Sequence, residues 1–187
     1  MKKLLFAAAA LFVCAGMNGQ TKNEIGAGYS QFTVLEGAYL LGGILGVAFT
    51  AGHFTFDNTV MTGAFSLEYH HFQSKWFGYG GLVSVEYITS DKYSVSKDGE
   101  RTPEGKFSLG LASVAPVVIG KWLRREKFNL YSKLAAGCGI STEGQAIPFF
   151  QVSPLCVDFG RAVGWNGFVE AGFGMQGVVT AGIKKKF

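Results

Sequence analysis

Cysteine is scarce, and the three present, Cys14, Cys138 and Cys156, form no C-x-x-C pair. The spacing on which structural zinc sites and dithiol redox centres are built is therefore missing, and no metal or cofactor is expected. Charge is sparse as well: 17 basic and 13 acidic residues make up 16% of the chain, a balance that gives no electrostatic footprint for nucleic acid. Only four prolines occur, and no Pro-, Gly- or Ser-rich stretch reads as a linker, so one domain is expected. A long apolar run at the amino terminus is also lacking. Residues 4–13 are apolar, about half of the ~20 residues that a membrane-crossing helix requires.

That short run follows Met1-Lys2-Lys3 and leads into small and polar residues ending at Gly19, the layout of a secretory signal. Cleavage after Gly19 leaves residues 20–187 as the working domain. It removes two lysines and no acid, lowering the net charge from +4 to +2. Cys14 lies in the signal behind Val13, where lipid attachment would call for a small residue.

Glycine and aromatic residues are abundant instead, with 27 glycines and 14% Phe, Trp and Tyr. Between the turn signals run segments of strict two-residue alternation, as in strands that cross a membrane with one face to lipid and one to a lumen. Phe65, Leu67 and Tyr69 alternate with Ser66, Glu68 and His70. Phe77, Tyr79, Val83, Val85 and Tyr87 alternate with Gly78, Gly80, Ser84 and Glu86, while Leu82 breaks the polar row. Phe107, Leu109, Leu111, Ala115, Val117 and Ile119 are read as one lipid-facing row against Ser108, Gly110 and Ala112. Leu130, Leu134, Ala136 and Ile140 alternate with Asn129, Tyr131, Lys133, Ala135 and Gly137, and Trp165, Val169, Ala171 and Phe173 with Asn166, Glu170 and Gly172. Strands over 24–32, 147–159 and 177–187 complete eight, the last ending on Phe187. The fold class is all-β, an eight-stranded antiparallel up-and-down transmembrane β-barrel, the even count placing both termini on one side.

The connections at 73–75, 121–126 and 160–164 are short. Those at 33–59 and 89–106 are long, and the second is rich in charge and reads as a solvated loop. Residues 37–56 carry no formal charge, but five glycines make them a poor spanning helix. A short apolar helix over the barrel mouth is expected there. Pairing about a turn at 142–145 sets Cys138 opposite position 149 or 150, away from Cys156, and both cysteines are read as facing lipid. Pro116 and Pro154, which donate no ladder bond, are read as bulges near the periplasmic rim. Tyr29, Tyr69, Phe72, Trp76, Trp122 and Trp165 are read as an interfacial aromatic girdle.

The alternation turns Glu24, Glu68, Glu86, Lys133, Glu170 and Lys184 toward the lumen. An eight-stranded barrel is just wide enough for side chains to fill it, so a static, plugged polar core of paired charges is expected rather than a gated path. Ser66, Glu68, His70 and His71 invite a nucleophile and base reading. Same-side neighbours on a strand are about 7 Å apart, too far for direct nucleophile-to-base contact without long rotamers meeting, and no catalysis is expected. His53 is read as incidental.

Residues 65–69 (FSLEY), 130–134 (LYSKL), 150–154 (FQVSP), 167–174 (GFVEAGFG) and 177–187 resemble small outer-membrane β-barrel proteins of Gram-negative envelopes, similar to the eight-stranded OmpA-like barrels. The resemblance implies an outer-membrane location, a short helix in the first outward loop, and assembly through the last strand, with Phe187 as its terminal insertion residue. It implies no reaction. One departure is Lys185, where such closing strands usually carry an aromatic, and Lys184-Lys185-Lys186 is expected to sit at the membrane edge, where lysine can snorkel. The expected protein is a monomer in outer-membrane lipid, serving the barrel-assembly machinery as client and the envelope as a structural or surface-interaction module. The alternatives are a narrow small-solute channel and a membrane-embedded lipid hydrolase.

Overall fold

The computed structural model describes residues 23–49, 54–95 and 100–187; the expected signal segment, its cleavage point and His53 lie outside the described residues. Eight strands run in sequence order around a closed barrel: β1 (Asn23–Gln31), β2 (Phe54–Phe72), β3 (Phe77–Val95), β4 (Arg101–Arg124), β5 (Phe128–Ser141), β6 (Ala146–Gly160), β7 (Gly164–Gly174) and β8 (Val179–Lys186). Each is antiparallel to the next, and β8 closes on β1 with Gly28 opposite Gly182. Asn23 and Phe187 exchange backbone hydrogen bonds of 3.0 and 2.9 Å, so the final residue is tied into the seam beside the strand. One helix, α1 (Val34–Phe49), occupies the first long connection. It is 16 residues long, and no described helix is long and apolar enough to cross a membrane.

The wall is inverted relative to a water-soluble barrel. Ile25, Leu67, Val83, Val118, Leu134, Val152, Phe173 and Ile183, one from each strand, point outward and are 41–62% exposed. Pairing keeps these residues beside their like: Val83 faces Val114, Tyr79 faces Val118, and Leu134 faces both Val118 and Val152. Cross-strand apolar pairs of this kind are the unit of sheet stabilisation.

Several elements differ from the sequence reading. The charged stretch at 89–106 is largely strand, because β3 and β4 continue their pairing to Val95 and Arg101. β2 likewise begins at Phe54, shortening the first connection. The faces of β4 are reversed: Leu111, Ala115, Val117 and Ile119 are buried inside, whereas Val114 and Val118 are exposed. The segment is apolar on both sides, so alternation held little contrast to orient it. Parity also carries Phe72 inward behind Ser66, Glu68 and His70, out of the proposed girdle.

Pro154 sits in a bulge, with register shifts toward both β5 and β7. The extra residue exchanges the two faces of β6: Gln151 and Ser153 point inward before it, Cys156 and Asp158 after it. Cys156 is therefore a lumen residue and not a lipid-facing one. Cys138 is exposed on the outside opposite Pro148, and both thiols are free. At Pro116 the pairing with β3 runs through Gly81 without a register shift, so that proline makes no bulge.

The β1–β8 seam depends on close backbone approach. A Cβ on Gly182 would stand 2.1 Å from the Ala27 carbonyl oxygen and 2.7 Å from the Phe168 ring. Phe168, buried in the lumen, covers both Gly28 and Gly182. Aromatic cover over strand glycines supplies the packing that glycine lacks. Gly182→Val is expected to prevent barrel closure, and Phe168→Ala to cost about 3–5 kcal/mol. Loss of the compact band on unboiled detergent gels for the first, and a lowered urea midpoint for the second, check these outcomes.

Candidate functional site

The lumen holds one continuous charged network. The Lys133 ammonium lies between two carboxylates, donating to Glu68 Oε1 at 2.7 Å and to Glu170 Oε2. His70 Nε2 stands 3.0 Å from the second oxygen of Glu68. The Tyr131 hydroxyl donates to Glu170 Oε1 at 2.6 Å and receives Lys184 Nζ at 3.4 Å. Lys184 then reaches Asp158 Oδ2 at 3.2 Å and Glu24 Oε2 at 3.4 Å. Lys186 donates to Asp158 Oδ1 at 2.7 Å, and Lys121 to Glu24 Oε1 at 2.6 Å.

Lys121, Lys133, Lys184 and Lys186 thus face Glu24, Glu68, Asp158 and Glu170, four against four. Balance is what a closed interior demands, since a buried charge without a partner costs several kcal/mol. The network stretches from the end bearing the chain termini to the middle of the barrel. Beside it, Phe72, Leu82, Leu111, Ala115, Val117 and Ile119 fill the β2–β4 side of the lumen with apolar packing. The lumen is therefore apolar along that side, where the alternation, apart from Leu82, led to the expectation of a polar core.

Five of the six lumen residues read from the sequence meet in this network: Glu24, Glu68, Lys133, Glu170 and Lys184. Glu86 stands apart at the helix end and accepts a 2.6 Å hydrogen bond from the Thr33 hydroxyl. Thr33 is the N-cap of α1. The Glu36 backbone N–H donates to Thr33 Oγ1, and the Thr33 N–H donates back to the Glu36 carboxylate, each at 3.0 Å. Sequence reasoning passed over this reciprocal capping box, whose signature is the T-x-x-E at 33–36. It fixes the start of the helix, and Glu86 fixes the cap to the wall.

Sequence reasoning missed Asp158, Lys121 and Lys186. The β6 bulge hid Asp158, Lys121 was placed in a turn, and Lys186 was placed at the membrane edge. Only Lys185 of the three terminal lysines points outward, with its ammonium 5.8 Å from the Trp165 ring. Lys121 lies 3.6 Å over the ring of Phe72 inside the lumen. Phe187 is partly exposed at the seam and takes no part in the network.

A second missed feature is the connection after β7. Met175 and Gln176 fold into the barrel and are fully buried. Gly174 and Gly177 bracket them at φ values of 139° and 91°, conformations open to glycine and strained for other residues. The Gln176 side-chain amide donates to Ser66 Oγ at 3.1 Å and to Glu68 Oε1. Its backbone N–H donates to Gln151 Oε1 at 2.8 Å. This turn stoppers the network from the helix end.

Ser66, the nucleophile of the hydrolase reading, is buried and hydrogen-bonded to Gln176 and the Gly28 carbonyl, while His70 is engaged with Glu68. His71 contacts Asn23 on the outer edge, 2.8 Å from Nδ1 to Oδ1. No nucleophile–base contact exists in this group. Among the described residues no cluster of His, Cys, Asp and Glu is arranged to hold a metal ion. Comparisons with family models, curated proteins and solved structures return no match to this chain.

Lys133→Met strands two buried carboxylates and is expected to cost about 3–5 kcal/mol. Adding Glu68→Gln and Glu170→Gln to it should recover part of that loss. Urea unfolding in detergent measures both, and an unchanged midpoint in the single variant would contradict the network.

Proposed function

We propose that this chain is an outer-membrane β-barrel protein of a Gram-negative envelope, exported through cleavage of residues 1–19 and acting as a closed, non-catalytic structural or surface-interaction module. The observation that carries the reading is the exposure of large apolar side chains on the outer face of all eight strands around a charged interior. Contiguous apolar surface on that scale is unfavourable against water and favourable against lipid tails. Trp76, Trp122 and Trp165, each more than half exposed near the turns at the terminal end, suit the headgroup zone of such a membrane.

Closure follows from the filled lumen. Lys133, Tyr131 and Gln176 have essentially no exposed surface, and moving any of them aside would leave buried charges without partners. That favours a monomeric plugged barrel over the narrow channel. The occupied Ser66 and His70 favour it over the lipid hydrolase. The partners of this reading are outer-membrane lipid and the barrel-assembly machinery, which would engage the closing strand and Phe187.

The purified protein is expected to migrate faster before boiling than after it on a detergent gel, and to give no lasting conductance in a planar bilayer. A persistent open level would replace the closed module with the channel. Solubility without detergent would remove the membrane assignment altogether.

A further inference from the structure

At the end of the barrel that carries the chain termini, the lumen opens into a cavity of about 410 Å³ between the β4–β5 and β6–β7 turns. Arg124 ends β4 and Arg125 opens the first turn, and Arg161 stands on the second. The two turns are joined: the Gly160 N–H donates to the Lys127 carbonyl at 2.9 Å. Within them, the Arg125 N–H donates to the Phe128 carbonyl and the Asn166 side-chain amide to the Arg161 carbonyl, each at 2.9 Å. The arginines are therefore mounted on fixed backbone.

Their charges are unbalanced. The lysines that reach the cavity floor, Lys121 and Lys186, already hold Glu24 and Asp158, and the network behind them is neutral by count. Arg124, Arg125 and Arg161 are exposed and form no ion pair among the described residues; the exposed Glu126 is the other carboxylate of the cavity wall. Three arginines lining one recess raise the local concentration of anions. The planar fork of guanidinium matches the oxygens of phosphate two at a time, and about 410 Å³ has room for a phosphate group with the molecule that carries it.

We propose that Arg124, Arg125 and Arg161 form a binding site for a phosphate oxyanion at the terminal mouth of the barrel. Two sources present that chemistry. One is a soluble phosphate compound entering from the aqueous side. The other is the headgroup of an anionic membrane lipid, whose phosphodiester charge is not cancelled by an ammonium of its own as in phosphatidylcholine, and which the outward Trp122 and Trp165 would bring to the same level. Only the second source rests on the membrane assignment, which the gel shift tests separately.

The folded protein in zwitterionic detergent is titrated with inorganic pyrophosphate by calorimetry, and its melting is followed in nanodiscs of phosphatidylcholine with and without phosphatidylglycerol. Saturable pyrophosphate binding, weakened at least tenfold in R124Q/R125Q/R161Q, establishes the site with a soluble ligand. Stabilisation by phosphatidylglycerol alone, lost in the same variant, establishes it with lipid. R124K/R125K/R161K, which keeps charge but not the fork, should bind with intermediate affinity. Should the triple glutamine variant lose its compact gel band, R161Q alone is used, with at least a threefold loss expected. No response to either probe, or a response undiminished in the variants that fold, overturns the proposal.

Discussion

The Lys133 ammonium between the carboxylates of Glu68 and Glu170 is the interaction on which the interior depends. A barrel of eight strands has no room for water to solvate isolated charges, so each ionised group must find an opposite one within reach. Lys133 comes from β5, Glu68 from β2 and Glu170 from β7, and the contact therefore spans the lumen and joins three separated parts of the wall. Tyr131, one pair of positions along β5, passes the connection to Lys184 on the closing strand. Charge balance and barrel closure are in this sense one requirement.

The two halves of the lumen share the work unequally. On the β2–β4 side, Leu82, Val117 and Ile119 pack without polar partners, in a manner suited to any protein core. On the other side the pairs fix specific geometry, because each must point at its partner to offset desolvation. The bulge at Pro154 lets β6 serve both ends of the polar network: it faces Gln151 toward the stopper turn and, after the change of face, Asp158 toward the lysines of β8. Without the inserted residue, Asp158 would point outward among apolar side chains, Lys186 would lack a counterion and Lys184 would keep only Glu24.

Much of the strand plan could be read from the chain because period-two alternation is strong wherever the two faces differ in polarity, as in Phe65–Tyr69 against Ser66–His70. Glu68, Lys133 and Glu170 were legible for that reason. The same rule failed where contrast was absent, in the apolar β4 run from Leu109 to Ile119, and where a single inserted residue reset the count, at Pro154. The inward stopper at Met175 and Gln176 was beyond alternation, since a turn has no period; its flanking glycines were the available sign. The capping box at Thr33 and Glu36 was present as a local motif, but its bond to Glu86 joins residues distant in sequence and becomes visible only in the folded barrel.

The account's central claim is that the inversion of the wall, with charges inside and apolar side chains outside, fits the proposed lipid surroundings. Power-saturation electron paramagnetic resonance on a nitroxide at position 134, introduced as Leu134→Cys in a Cys138→Ser background and reconstituted in bilayers, tests it most directly. Leu134 is outward and 55% exposed, and the remaining Cys156 is buried and shielded from the label. Relaxation by oxygen well above that by a nickel chelate is predicted; a chelate effect equal to or greater than that of oxygen would contradict the inversion.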